Sequence, residues 1–426
     1  MEIKGSLNRI KNRFFGSPKN FNKVKEANLS EIKAAYQNRK TILESVPRII
    51  QLEHSTFCNL ECIGCPHFYQ KNSFATHLDA KVVDRLIPIF PKVEQIQLNG
   101  GGEPFLAKGL EDALEVYSSF NIRITTTTNL LHLTHRILNV IRKSFSSINI
   151  SFDGASKETF EGIRKKANFD KFLENVKNVR ECRDDLNMVM GVTLMRQNIC
   201  ELPDILLLGK KLGFNKIVVG RMMPRPKSMP HTVKDDILFY PQVANHYFAL
   251  ARKVVSEQHI NAVIPADLPI TDNDLSFEDE LDLITKQPLF PSKSEKEKYF
   301  ETWWNSIDHE KVKQNLPVRL PVIEPKDKKI RCKGNCNWLF ENIFINSKGD
   351  IATCCQMPNL SMGNVLEVDS FEEIWNGSGF VNLRQAFWDE FIPRHCYGCQ
   401  FLLQNRLDVE ILDNIDQKSF RSLSLV

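Results

Sequence analysis

Residues 57–66 read Phe57-Cys58-Asn59-Leu60-Glu61-Cys62-Ile63-Gly64-Cys65-Pro66 (FCNLECIGCP), which places three cysteines within eight residues and offers no nearby fourth. A thiolate site built for structure closes with four ligands. Three thiolates spaced C-x3-C-x2-C can instead hold three irons of a cubane and leave the fourth iron open to a substrate or cofactor. The other reading of the same residues is a zinc site completed by a distant ligand such as His54 or His67.

Around this stretch, from about 47 to 222, short β-rich runs alternate with helical patterns, the signature of βα units and a parallel sheet. The strands read as Arg48–His54, Gln95–Asn99, Arg123–Thr128, Ser147–Phe152, Met188–Met195 and Lys216–Met222. Helices are expected near 80–89, 109–119, 134–143, 157–183 and 201–212. Six such units fall short of the eight of a closed barrel and fit a partial (β/α)6 TIM-like barrel, whose active site lies at the C-terminal ends of the strands. The chemistry-bearing residues sit there. Cys58 follows the first strand, Asn99-Gly100-Gly101-Gly102-Glu103-Pro104 the second, Asn129 the third, Asp153 the fourth and Asn198 the fifth, while Arg221 ends the sixth. His54, Gln97, Asn149, Thr193, Arg196, Arg221 and, further on, Asp267 are candidate polar wall residues.

The 426-residue chain is 42% apolar and 25% charged, the composition of an ordinary globular protein, and its net charge of +4 does not point to nucleic acid or membrane. The excess is local: Lys4, Arg9, Lys11, Arg13, Lys19, Lys23 and Lys25 face only Glu2 in residues 1–25, which reads as a solvated extension. With no apolar signal region and no membrane-length apolar run, a cytoplasmic location is expected. In that setting eleven cysteines do not read as a disulfide framework, and the clusters among them at tight spacing mean metal or redox sites. The isolated Cys182 and Cys200 are expected to be buried thiols.

CxxxCxxC at Cys58, Cys62 and Cys65, then GGEP at Gly101–Pro104, then SFDGASKETFEGIR at 151–164 resemble the radical S-adenosylmethionine (SAM) superfamily, in order and over about 47–222. The resemblance implies a 4Fe-4S cluster on the three cysteines, with SAM chelating its open iron and cleaved to a 5′-deoxyadenosyl radical by an electron from a reducing partner such as flavodoxin or ferredoxin. It further implies that Gly101, Gly102 and Glu103 receive the methionyl ammonium, Ser151 and Asp153 the ribose hydroxyls and Arg164 the carboxylate. Phe57 resembles the aromatic neighbour of the adenine. Thr128 and Asn129 resemble the family's TNG motif, with Leu130 in place of its glycine. A cofactor radical suits an unactivated C–H bond, which no side-chain base can attack.

The remaining cysteines gather near the C-terminus. Cys336 and Cys354 (C-x17-C) with Cys396-Tyr397-Gly398-Cys399 make a closed four-ligand set, which suits a zinc ribbon or a second cubane. FINSKGDIATCC followed by MGNVLEVDSFEEIWNGSGFVNLR resembles the SPASM extension of radical SAM enzymes. Because no cysteine follows Cys399, one auxiliary 4Fe-4S cluster is expected, as in the shorter twitch-like members. Cys332 and Cys355 are left over as candidate hydrogen-atom donors. The expected organisation is a basic, helical extension (1–46) with one helix over 27–43, the radical SAM partial barrel (47–222), a connecting region (223–330), a small loop-rich auxiliary-cluster domain (331–402) and a tail (403–426). A substrate radical could then undergo dehydrogenation, epimerisation or bond formation. With only about 46 residues before the first strand, a small-molecule substrate is expected, with a peptide as the alternative. A Rossmann methyltransferase is disfavoured by the absence of GxGxxG. A non-enzymatic iron-sulfur or zinc protein is the reading of another class.

Overall fold

A computed structural model describes residues 21–65, 75–222, 231–270, 274–286, 336–355 and 361–389. The expectations for Cys332, Cys396, Cys399, His67 and the tail 403–426 fall outside the described residues.

In chain order the elements are α1 (Phe21–Gln37), β1 (Ile49–Leu52), β2 (Glu61–Cys62), α2 (Ala80–Leu86), β3 (Gln95–Gln97), α3 (Leu110–Ser119) and β4 (Arg123–Thr128). Next come α4 (His135–Ser144), β5 (Phe145–Ser151), α5 (Lys157–Ile163), β6 (Arg164–Lys165), α6 (Phe169–Cys182), β7 (Asn187–Leu194), α7 (Leu202–Lys211) and β8 (Lys216–Arg221). After a single turn at His231–Lys234 follow α8 (Pro241–Glu257), β9 (Ala262–Val263), α9 (Phe277–Lys286), β10 (Asn342–Ile345), β11 (Asp350–Ala352), β12 (Ser361–Asn364), α10 (Phe371–Trp375) and α11 (Ser378–Trp388). All six strands read from the sequence are present, with ends shifted by at most two residues. The N-terminal helix expected over 27–43 begins and ends earlier, at Phe21 and Gln37.

The chain forms two compact units. One comprises 1–57, 75–125 and 313–424, the other 58–74, 126–312 and 425–426, so β4 begins in the first and ends in the second. In the first unit β1 pairs in parallel with β3 on one side and with β10 on the other, and β11 and β12 extend the sheet as antiparallel strands. The C-terminal module, read from sequence as loop-rich, therefore supplies three strands. β10 reads Asn-Ile-Phe-Ile, too short for an alternating pattern to declare itself. In the second unit β5, β7, β8 and β9 pair in parallel. Inward and outward positions alternate as a pleated strand requires: Met188, Met190, Val192 and Leu194 of β7 are buried, and the residues between them are not.

The helix expected over 157–183 is broken in two. Arg164 and Lys165 leave the helical path to pair antiparallel with Cys62 and Glu61, Lys166 turns at φ +71°, and α6 restarts behind the Asn168 cap, whose side chain accepts from the Lys171 N–H. Helical periodicity runs through this junction; ladder partners supplied by a distant loop override it.

Candidate active site

The cysteine loop belongs to the second unit. Its Glu61–Cys62 strand lies against Lys165–Arg164, the Ile63 N–H donates to the Ile163 carbonyl at 3.0 Å, and the Cys65 N–H donates to the Cys62 carbonyl at 3.1 Å. Beneath it Ile63 packs with Ile163, Met195 and Met222, and Gly64 leaves room for the Met222 sulfur. An apolar bed of this kind keeps water from the loop's underside.

Opposite Cys62, Arg164 is buried and its Nη2 meets Asp153 Oδ2 at 2.6 Å, while Asp153 Oδ1 accepts from the Thr193 N–H at 2.8 Å. The family resemblance implies different parts of SAM for Asp153 and Arg164; the structure joins the two side chains to each other. Arg164 Nε is buried without a hydrogen-bond partner. Burial works against the charge on Arg164, yet Asp153 and the Cys62 and Cys65 sulfurs hold its pKa above the ordinary value. Burial pushes the Cys62 thiol up to about 12 against the pull of Arg164, so in the metal-free protein this thiol keeps its proton. Ligation would release that proton.

Asn129 adjoins the same loop, its Nδ2 donating to Cys58 Sγ at 3.8 Å and to Asn59 Oδ1 at 2.9 Å. Leu130, which replaces the expected glycine, is fully buried at φ +58°, the left-handed conformation that glycine adopts without cost. The turn is held by Thr128 Oγ1 accepting from the Leu130 N–H and Asn129 Oδ1 from the Leu131 N–H, each at 2.9 Å. The departure from the motif thus places a leucine in a backbone conformation that favours glycine. Ser151 ends β5 opposite Gly191 of β7.

The glycine-rich turn belongs to the first unit, together with Phe57. Gly102 lies against the chain just before the cysteines: a Cβ there would fall 2.5 Å from the Ser55 and Phe57 carbonyl oxygens. The Glu103 N–H donates to the Phe57 carbonyl at 2.7 Å, and the buried Glu103 carboxylate caps Pro104–Leu106 by accepting from the Phe105 N–H. Gly101 donates its N–H to Glu53 Oε1 at 2.6 Å. Phe57 stacks on His77 with ring centroids 4.5 Å apart. Glu53 escaped the sequence reading, in which only its place at the end of the first strand could have marked it.

Several candidate wall residues are committed elsewhere. His54 Nε2 meets the Tyr117 hydroxyl at 3.1 Å in the core, Arg196 pairs with Asp235 and Arg221 with Asp236, and Asp267 pairs with Arg252 on an exposed surface. Asn149 reaches Thr127 Oγ1 at 3.5 Å and keeps Oδ1 buried without a partner beside Gly191. Cys182 and Cys200 are half-buried, less enclosed than expected.

In the C-terminal module Cys336 precedes the turn Asn337–Leu339, and Cys354 and Cys355 follow β11. The FINSKGDIATCC and MGNVLEVDSFEEIW runs take shape with Gly349 at φ +90°, Gly363 at φ +146° and α10 behind a Ser370/Glu373 capping box. Among the described residues no three His, Cys, Asp or Glu side chains converge on a single-ion site. A cluster takes one thiolate per iron and does not ask them to converge.

Residues 52–209 match the radical SAM superfamily, and residues 336–400 match the iron-sulfur cluster-binding SPASM domain. The AdoMet-dependent heme synthase of Methanosarcina barkeri is 24% identical over 40% of this chain and 49% of its own length. The mycofactocin maturase MftC of Mycolicibacterium smegmatis is 23% identical over 46% of this chain and 53% of its own. The aligned segments span about half of these curated relatives. The fold is similar to that of Streptococcus suis SuiB bound to S-adenosylmethionine, with a TM-score of 0.52 and 14% identity over 94% of this chain and 80% of that one. The cysteine loop, the glycine-rich turn and the C-terminal strands accordingly belong to a member of the radical SAM superfamily that carries a SPASM domain.

Proposed function

We propose that this protein is an enzyme that reductively cleaves SAM to a 5′-deoxyadenosyl radical and uses it to abstract a hydrogen atom from a small-molecule substrate. An auxiliary 4Fe-4S cluster assists, the outcome being dehydrogenation, epimerisation or bond formation. The observation that carries this reading is the open set of Cys58, Cys62 and Cys65 on one loop, pinned by a two-residue ladder to a buried Arg164–Asp153 pair. The donor set fits the group: soft sulfur ligands, an apolar floor and a fixed positive charge suit an anionic iron-sulfur cluster.

When bound, the cluster would pass on an electron and SAM would furnish the radical. The chain's own residues hold and orient. Cys58, Cys62 and Cys65 ligate the cluster; Arg164, kept in place by Asp153, offers its guanidinium to the carboxylate of SAM. Gly101, Gly102 and Glu103 receive the ammonium, Ser151 the ribose, and Phe57 the adenine, with Thr128 and Asn129 shaping the third-strand turn. Asp153, already engaged twice, serves best by positioning Arg164 and not as a direct ribose ligand. Ile63, Ile163, Met195 and Met222 exclude water beneath the loop. Cys336, Cys354, Cys396 and Cys399 hold the auxiliary cluster, and Cys332 and Cys355 are the candidate hydrogen-atom donors. A flavodoxin or ferredoxin supplies the electron, in the reducing cytoplasm that open thiolate sites require. Among the described residues no helix is long and apolar enough to cross a membrane.

A peptide substrate is the second reading, favoured by the mycofactocin maturase and by the PqqA peptide cyclase of Bradyrhizobium diazoefficiens, 23% identical over 42% of this chain and 47% of its own length. Anaerobic reconstitution is expected to load about eight irons per chain for two cubanes. Reduction with SAM should then release 5′-deoxyadenosine, and Cys58→Ala should abolish the release. A wild-type enzyme that forms none, or a Cys58→Ala variant equal to it, would sink the proposal. Deuterium transfer into 5′-deoxyadenosine from labelled small molecules or from labelled peptides decides the substrate class.

A further inference from the structure

We infer that Glu53 is a positioning residue that ties the glycine-rich turn to the β10–β11 turn of the C-terminal module, so that the module holds the turn in its ligand-binding shape. Glu53 directly follows β1, which runs parallel to β10 with Leu52 opposite Ile345. Its own N–H donates to the Ile345 carbonyl at 2.9 Å. Its side chain then reaches two ways: Oε1 accepts from the Gly101 N–H at 2.6 Å, and Oε2 from the Ser347 N–H at 3.3 Å.

Glu53 is 7% exposed, and its side chain fills the space that a side chain at Gly100 would need, since a Cβ there would lie 2.4 Å from Glu53 Cγ and Oε1. Gly100 is thus the opening through which the turn settles on Glu53. Ser347 is fixed in its turn, its Oγ 2.6 Å from Thr76 Oγ1 and its carbonyl accepting from the Asp79 N–H at 3.1 Å. The next residues close a tight loop in which Asn346 Oδ1 accepts from the Lys348 and Asp350 N–H groups. One buried carboxylate therefore receives main-chain N–H groups from two segments that are remote in sequence, both of which are themselves constrained.

A carboxylate can accept both hydrogen bonds, whereas an amide of the same shape must turn its NH2 towards one of the two N–H groups. Glu53→Gln is consequently a nearly isosteric change that breaks one arm of the tie. The inference rests on the radical SAM reading, and SAM is the probe. With anaerobically reconstituted wild-type enzyme and Glu53→Gln, SAM affinity would be measured by equilibrium dialysis, and deuterium uptake followed in peptides covering 99–104 and 345–350.

The variant is expected to bind SAM at least tenfold more weakly at wild-type iron content, and to take up deuterium faster in at least the peptide whose N–H has lost its acceptor. SAM affinity within threefold of wild type, or exchange unchanged in both peptides, overturns the tie. If the amide variant fails to load iron, Glu53→Asp, which keeps the charge but withdraws it by one methylene, is expected to show the same tenfold loss. Unchanged affinity in its iron-loaded fraction also overturns the inference. Wild-type enzyme that binds no SAM defeats the underlying reading before any variant is compared.

Discussion

Asp153→Asn tests the arrangement around Cys62 most directly. The substitution keeps the side-chain shape and an oxygen for the Thr193 N–H but removes the charge that meets Arg164 at 2.6 Å. The two side chains are 5% and 8% exposed, so solvent cannot stand in for the lost partner. Leaving one member of a buried ion pair uncompensated costs about 3–5 kcal/mol. Arg164 sits in register with Cys62, so the cost falls on the ladder that holds the cysteine loop. At about 1.4 kcal/mol per tenfold, even the lower figure raises the open fraction of that ladder roughly a hundredfold. Hydrogen exchange by mass spectrometry on the metal-free protein reads this through the Ile63 amide, bonded to the Ile163 carbonyl. Asp153→Asn combined with Arg164→Met removes both charges and is expected to recover to within about tenfold of wild type, the behaviour of a coupled pair in a double-mutant cycle. Exchange that rises less than about threefold in the single variant would refute the reasoning.

Gly102→Ala drives a Cβ to within 2.5 Å of two backbone carbonyl oxygens that cannot rotate away; displacement of the turn on the order of 1 Å is expected to lower 5′-deoxyadenosine formation about a hundredfold, scored by chromatography. His54 is held neutral by burial, its pKa lowered from 6.5 to about 3. Between those values the unfolded chain takes up a proton that the folded one refuses. Stability is therefore lost as pH falls through this window, by up to about 1.4 kcal/mol per unit, and a His54→Gln variant should show a flatter dependence of the urea midpoint between pH 5 and 7. Arg384 donates to the carbonyls of Leu339, Thr41 and Trp375 and lies 4.2 Å from the Trp375 ring centroid. Arg384→Met strands these acceptors and should cost on the order of 3 kcal/mol, visible as a lower calorimetric midpoint; an unchanged midpoint would show that the carbonyls find other donors.

The βα alternation was legible because its signal is local: each strand carries its own short run with apolar residues, each helix its own spacing. Where a partner from elsewhere in the chain decided the conformation, the local signal misled. Arg164 and Lys165 read as the middle of a helix until Glu61 and Cys62 claim them as a strand. β10 was invisible for the same reason, since a four-residue run becomes a strand only when β1 lies beside it. At Leu130 the sequence departs from glycine, yet the buried left-handed turn is kept, its backbone braced by the Thr128 and Asn129 side chains.

Cysteine spacing by itself narrowed the chemistry to an open iron-sulfur cluster or a zinc site closed from a distance, because C-x3-C-x2-C confines three thiolates to one loop whatever surrounds it; the ordered resemblance of the GGEP and SFDGASKETFEGIR runs to radical SAM enzymes chose between them. Which partner each neighbouring residue meets was decided by tertiary structure alone. Asp153 and Arg164 read as two separate ligands and fold into one ion pair, and Glu53 meets Ser347 across 294 residues of chain. A hydrogen bond between residues so far apart leaves no periodic trace in the sequence; it exists only because packing has brought a buried carboxylate to a main-chain N–H that water no longer reaches.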